Sequence, residues 1–121
     1  MPKLKRDIVK YVRDKAKAKY QKAGECRICG ETELLEFHHY YSLTPLLNEW
    51  MAKNKYNPEY IQSLRDDFIE EHSKELYDDT VTLCRTHHLK LHSIYGKDPA
   101  LVTAKKQIVW VEIQREKYGL V

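Results

Sequence analysis

The pair Cys26-Arg27-Ile28-Cys29 and Cys84-Arg85-Thr86-His87 constrains this chain more than any other feature. The sequence holds three cysteines, and an odd number cannot be closed by internal disulfides alone. A C-x-x-C followed by a C-x-x-H supplies three thiolates and one imidazole, a full tetrahedral donor set for zinc with no cysteine left over. The spacing therefore predicts a structural Zn²⁺ site of Cys26, Cys29, Cys84 and His87, with Gly30 allowing the tight turn of a chelating loop. The other readings are unrelated buried thiols or a thioredoxin-like redox pair, and the redox pair needs a βαβ setting that the surrounding pattern lacks.

A metal staple matters because the chain is short. Its 121 residues suffice for one domain but not for two independent cores, and 42% hydrophobic with 32% charged residues suits a small globular fold. No apolar run approaches the roughly 20 residues of a membrane span, and the Lys-rich start has no apolar secretion segment. With the cysteines read as ligands, the expectation is a cytoplasmic protein in a reducing, intracellular compartment, without membrane contact.

The hydrophobic pattern predicts a mostly α, α+β fold. Leu4, Ile8, Tyr11, Val12, Ala16 and Tyr20 recur at spacings of three and four, which predicts a basic amphipathic helix within residues 1–24, ending on a left-handed Gly24. Leu34, Leu35 and Phe37 suggest a short strand running into His38 and His39, and Thr80 to Leu83 alternates as a second strand. A helix from Arg85 to about Ile94, stopped by Gly96, follows. Between the strands, at about 43–77, two helices are expected, opened by Thr44-Pro45 and by Asn57-Pro58. Asp98-Pro99 opens a C-terminal helix within 97–121, although the run Ile108 to Val111 also suits a strand.

Six histidines occur, five of them beside the predicted strands. His88 and His92 are four apart on a predicted helix, so their rings project about 40° apart on one face, a common geometry for two ligands of one ion. His38 and His39 are neighbours on a strand and point in opposite directions, which assigns them different tasks. The economical arrangement puts His38, His88 and His92 on a second metal and leaves His39 free as a base. His72, alone on the insertion, reads as an exposed or packing residue. Leu89 and Leu91 read as core residues that seat the helix, and Lys90 points away from the metal.

Cys26-x-x-Cys29, then Glu36-Phe37-His38-His39, then Leu83-Cys84-Arg85-Thr86-His87-His88-x-x-x-His92 resembles the HNH endonuclease motif. The resemblance covers roughly residues 24–95, interrupted by the insertion. It implies a ββα-metal core with a treble-clef-like zinc knuckle over 25–95, a helical insertion between the strands, and helices at both termini. It implies that His38, His88 and His92 hold a catalytic divalent metal, that His39 activates water, and that Asp79 stands where the family often has Asn. That residue braces the loop carrying the base; as a carboxylate, Asp79 accepts hydrogen bonds but cannot donate them as an amide does. Three imidazoles form a softer set than Mg²⁺ usually selects, so Mn²⁺, Ni²⁺ or Co²⁺ is favoured over Mg²⁺. Small proteins of this kind include phage-encoded, homing, packaging, restriction and repair nucleases.

Charge distribution adds a substrate surface. Residues 1–24 carry nine Lys/Arg against two Asp, net +7, whereas residues 25–96 sum to −6 and residues 97–121 to +2. Under the nuclease reading, Lys3, Lys5, Arg6, Lys10, Arg13 and Lys17 grip the phosphates of double-stranded DNA without reading bases. Arg85 either contacts the phosphate or faces solvent, and Lys105 and Lys106 extend the surface. A double-strand break by one such centre per chain needs a homodimer, a larger complex or a second binding event. The rival reading is a non-catalytic zinc module for DNA or RNA, and a third is an adaptor using Trp50, Tyr60 and Phe68.

Overall fold

In the computed structural model, which describes residues 8–55 and 58–119, the basic segment forms α1 (Ile8–Ala16) and one 3-10 turn, Lys17–Lys19. Val12 and Ala16 on its apolar stripe are wholly buried. The expected helix to residue 23 is cut short, because Tyr20 turns extended (φ −69°, ψ 136°). Two tertiary contacts account for this: the Tyr77 hydroxyl donates to the Ala16 carbonyl at 3.0 Å, and the Tyr20 ring stacks on Phe37 at 4.6 Å. Gly24 is not among the left-handed glycines and caps no helix. Lys3, Leu4, Lys5 and Arg6 lie outside the described residues.

Among the described residues, β1 (Leu35–His39) is the first of two strands. α2 (Leu43–Lys53) follows almost at once. Its N-cap is Ser42 rather than Thr44, and the Ser42 carbonyl accepts the first helical bond from Leu46 at 3.1 Å. Pro45 is tolerated there because the first four N–H groups of a helix have no intrahelical partner to lose. Pro58–Tyr60 makes a 3-10 turn that runs into α3 (Ile61–Glu71); Asn57 lies outside the described residues. The insertion then contains an unexpected π-helical turn, Lys74–Asp78, before β2 (Thr80–Cys84).

The strands pair antiparallel, with Leu35 opposite Cys84, Phe37 opposite Thr82, His38 opposite Val81 and His39 opposite Thr80. α4 (Arg85–Tyr95) starts on the residue after β2 and ends on Gly96, whose φ of +95° suits a residue without a side chain. Asp98-Pro99 starts no helix directly; a 3-10 turn at Leu101–Thr103 leads into α5 (Ala104–Lys117). The Ile108 to Val111 run is therefore helical, its β propensity overridden by packing of Ala104, Gln107 and Val111 against the rest of the molecule. Among the described residues, no helix is long and apolar enough to cross a membrane.

Two apolar clusters hold these elements. The helical cluster joins Val12 and Ala16 of α1, Leu46, Leu47 and Trp50 of α2, Leu64 and Phe68 of α3, and Leu76. Trp50 meets Phe68 edge-on at 5.4 Å, and His72 stacks on Phe68 at 4.6 Å, so His72 is a packing residue. Burial of Trp50 and Phe68 withdraws both from the surface that an adaptor would need, and only Tyr60 of that trio is exposed. Each such large side chain contributes about 1.5–3 kcal/mol on burial. The second cluster gathers Cys26, Ile28, Tyr40, Leu83, Cys84, Leu91, Ala104 and Val111 around the strands and α4. Leu91 is in it as expected, but Leu89 is 61% exposed, because α4 turns that side away from the sheet.

Candidate metal centres and active site

The four predicted zinc ligands converge. Atoms that could bind an ion on Cys26, Cys29, Cys84 and His87 all lie within 4.8 Å of one another. Cys29 Sγ is 3.9 Å from Cys84 Sγ, and His87 Nδ1 is 3.4 Å from Cys84 Sγ and 4.0 Å from Cys26 Sγ. A tetrahedron with Zn–S and Zn–N bonds near 2.3 and 2.0 Å has edges of about 3.5–3.8 Å, so the donor set fits zinc in kind and in spacing. The knuckle is held by its own backbone: Gly30 N–H donates to the Cys26 carbonyl at 2.9 Å, and Ile28 N–H points at Cys26 Sγ at 3.4 Å. Burial opposes ionisation of Cys26, but the surrounding N–H groups outweigh it and lower its pKa.

A second cluster forms from His38, His88 and His92, one atom of each again within 4.8 Å of the others. β1 delivers His38, which is 2% exposed, and α4 delivers the other two. His38 Nδ1 and His88 Nε2 are 3.1 Å apart, as are His88 Nε2 and His92 Nε2. Each ring has an acceptor at its other nitrogen. His38 Nε2 lies 2.8 Å from Gln107 Oε1, His88 Nδ1 lies 2.7 Å from Glu36 Oε1, and His92 Nδ1 lies 2.7 Å from the Gly96 carbonyl. Carbonyl and carboxylate oxygens only accept, so these outer nitrogens carry the protons. The three inner nitrogens then present lone pairs to one another. Such pairs cannot hydrogen-bond among themselves, and their spacing is that of neighbouring ligands around a cation with bonds near 2.1 Å, about 3.0–3.4 Å.

The His38 and His88 rings are poor proton carriers, which suits ligation. Burial lowers the His38 pKa to about 3, against a raising contribution from the bond to Gln107. Burial also lowers that of His88, where Glu36 pulls the other way. Both rings are accordingly neutral at neutral pH, the form that binds metal.

His39 faces the other side of β1, as its strand position requires. Its Nε2 is 3.0 Å from the Leu76 carbonyl, which fixes the proton on Nε2 and leaves the Nδ1 lone pair open. Tyr20 and Phe37 meet its ring edge-on at 4.9 and 5.2 Å. Burial lowers its pKa to about 4, and Arg13 is close enough for its charge to push in the same direction.

Asp79 is not placed against His39 by its side chain. Its carboxylate receives both its bonds from Lys74 Nζ at 2.9 Å, and it is the Asp79 backbone carbonyl that accepts the Tyr40 N–H at 3.2 Å, one residue past His39. The group that holds the His39 ring is the Leu76 carbonyl of the π-turn. Arg85 is exposed and lines a hollow over the four-ligand cluster with Cys29, Cys84 and His87. Lys10 and Lys17 both pair with Asp14, at 2.8 and 3.5 Å, on the exposed side of α1.

Gln107, Glu36 and the carbonyls of Leu76 and Gly96 carry roles that residue patterns did not assign. The two side chains left traces. Glu36 shares a strand face with His38, and Gln107 is a polar residue on the i, i+3, i+7 stripe of Ala104, Gln107 and Val111.

Against known proteins, a family model described as the nicking endonuclease family, named for phage T5, matches residues 1–120. No solved structure matches the chain.

Proposed function

The chain belongs to the nicking endonuclease family, and from that membership we propose that it is a metal-dependent DNA endonuclease of the HNH type. In this reading the ββα-metal core comprises β1, β2 and α4, His39 is the general base, and His38, His88 and His92 hold a divalent cation. The observation that carries it is the three-histidine cluster, where every outer nitrogen has an acceptor and the inner nitrogens gather within 4.8 Å of one another. A bound divalent cation supplies charge stabilisation on the phosphate and on the departing oxygen.

The chain's own groups do the rest. His39 Nδ1 takes a proton from the attacking water while Nε2–H stays bonded to the Leu76 carbonyl, which keeps the ring aimed and steadies its charged form. Arg13, whose charge reaches His39, holds the phosphate side of the substrate. Lys10 and Lys17 extend the cationic surface along α1, beyond which Lys3, Lys5 and Arg6 continue it. Cys26, Cys29, Cys84 and His87 bind zinc and tie the knuckle to the start of α4. Arg85, over that zinc site, bears on flanking DNA rather than on the reacting phosphate. One such centre cuts one strand per encounter, in keeping with the family's description.

Supercoiled plasmid tests this directly. Purified protein with Mn²⁺, Ni²⁺ or Co²⁺ should convert it to open circles before linear product appears, with weaker conversion in Mg²⁺ and none in excess EDTA. Softness of the all-imidazole set is the reason for that metal order. Cleavage that persists in EDTA contradicts the metal assignment. Plasmid that is bound yet intact under every metal points instead to a non-catalytic nucleic-acid module.

A further inference from the structure

Gln107 lies on α5, outside the segment that carries the endonuclease motif, yet it is wholly buried and reaches the rear of His38. A buried amide needs partners for both ends, and here they are unambiguous. Gln107 Nε2 donates to the Tyr40 carbonyl at 3.3 Å and to Thr103 Oγ1 at 3.0 Å. Thr103 spends its own hydroxyl proton on the Ala100 carbonyl at 2.6 Å, so its oxygen is free to accept. A flipped amide would set its oxygen against the Tyr40 carbonyl, two acceptors face to face. The amide orientation is therefore locked, and Gln107 Oε1 is the end that meets His38 Nε2 at 2.8 Å.

We infer that Gln107 is a positioning residue of the three-histidine centre: its locked amide oxygen holds the proton of His38 on Nε2 and thereby turns the Nδ1 lone pair toward the point that His88 and His92 also face. This rests on reading that cluster as a metal site. It makes α5 part of the centre. Glu36 does the same for His88 from the strand, but as a half-buried carboxylate it also supplies charge, whereas Gln107 supplies orientation without charge. Outer partners of this kind typically set metal affinity by 10- to 100-fold.

The test uses the full zinc-loaded chain and Mn²⁺ as the probe, titrated by calorimetry without DNA. Gln107→Met fills the same volume but removes the acceptor, and it should weaken Mn²⁺ binding by about 10- to 100-fold. Gln107→Glu retains an acceptor for His38 but sets its second oxygen against the Tyr40 carbonyl, so it should recover part of that loss. A mere packing role predicts the opposite order, since methionine suits a buried site and a carboxylate does not. In the wild type before Mn²⁺ is added, two-bond nitrogen–proton NMR should find His38 as the Nε2–H tautomer, a readout that needs no variant to fold. An Nδ1–H tautomer, or Gln107→Met binding Mn²⁺ as tightly as wild type, overturns the inference. A wild type that takes up no ion beyond its zinc overturns the metal reading itself, and the role of Gln107 with it.

Discussion

Replacement of His39 by alanine should slow plasmid nicking by about 10²- to 10⁴-fold and leave Mn²⁺ uptake at the wild-type level. The separation follows from the two faces of β1. His38 points toward α4 and the ligand cluster, whereas His39 points toward Tyr20, Phe37 and the Leu76 carbonyl. Removing the His39 ring thus takes away the open Nδ1 and nothing that lines the cation site. His88→Ala should behave differently, losing Mn²⁺ binding and cleavage together, because His88 Nε2 lies 3.1 Å from both other inner nitrogens. Single-turnover rates and calorimetric titrations on the same preparations check the pair. A His39→Ala enzyme within a few-fold of wild type removes His39 from the chemistry.

The second large effect concerns the Cys26, Cys29, Cys84 and His87 cluster. Structural zinc sites carry apparent binding free energies of about 10–16 kcal/mol, comparable to the whole stability of a small domain, about 5–15 kcal/mol. Here the cluster is also core: Cys26 and Cys84 pack with Ile28, Tyr40, Leu83 and Leu91, and the sheet beside it has two strands of five residues. Two strands alone bury too little to stand unsupported. Cys84→Ala, or zinc extraction by a strong chelator, should therefore abolish the cooperative thermal transition of the wild type and lower helical circular dichroism. Metal analysis of the gently purified wild type should return one zinc per chain. An unchanged melting curve after zinc removal contradicts a structural role.

What could be read from residue patterns and what could not divide along physical lines. Both strands, α4 and its Gly96 stop, and the gathering of the two Cys/His groups were legible, because period-two alternation, C-x-x-C spacing and the i, i+4 histidines are written in side-chain identity. The early end of α1 was not: a stripe through Tyr20 looks helical until Tyr20 finds Phe37, a contact across the chain. The resemblance gives Asp79 a part in bracing the loop that carries His39; its carboxylate pairs with Lys74, and the acceptor at His39 Nε2 is the Leu76 carbonyl, a backbone group with no residue signature. Ser42 took the helix start expected of Thr44 for a related reason, since proline within the first turn marks a helix start without marking its first residue. Leu89 and Leu91 look alike in sequence, and only the side of α4 turned to the sheet separates them. Gln107 was visible as a polar residue on an apolar stripe, but its partner His38 is on another element.

The central claim is that His38, His88 and His92 share one cation. Crystals of the zinc-loaded protein soaked in Mn²⁺ and measured for anomalous scattering at the manganese edge test it most directly. The account predicts one manganese peak within bonding distance of His38 Nδ1, His88 Nε2 and His92 Nε2, apart from the zinc peak at the cysteines. Manganese bound elsewhere, or absent from the three histidines at concentrations that support nicking, would contradict it.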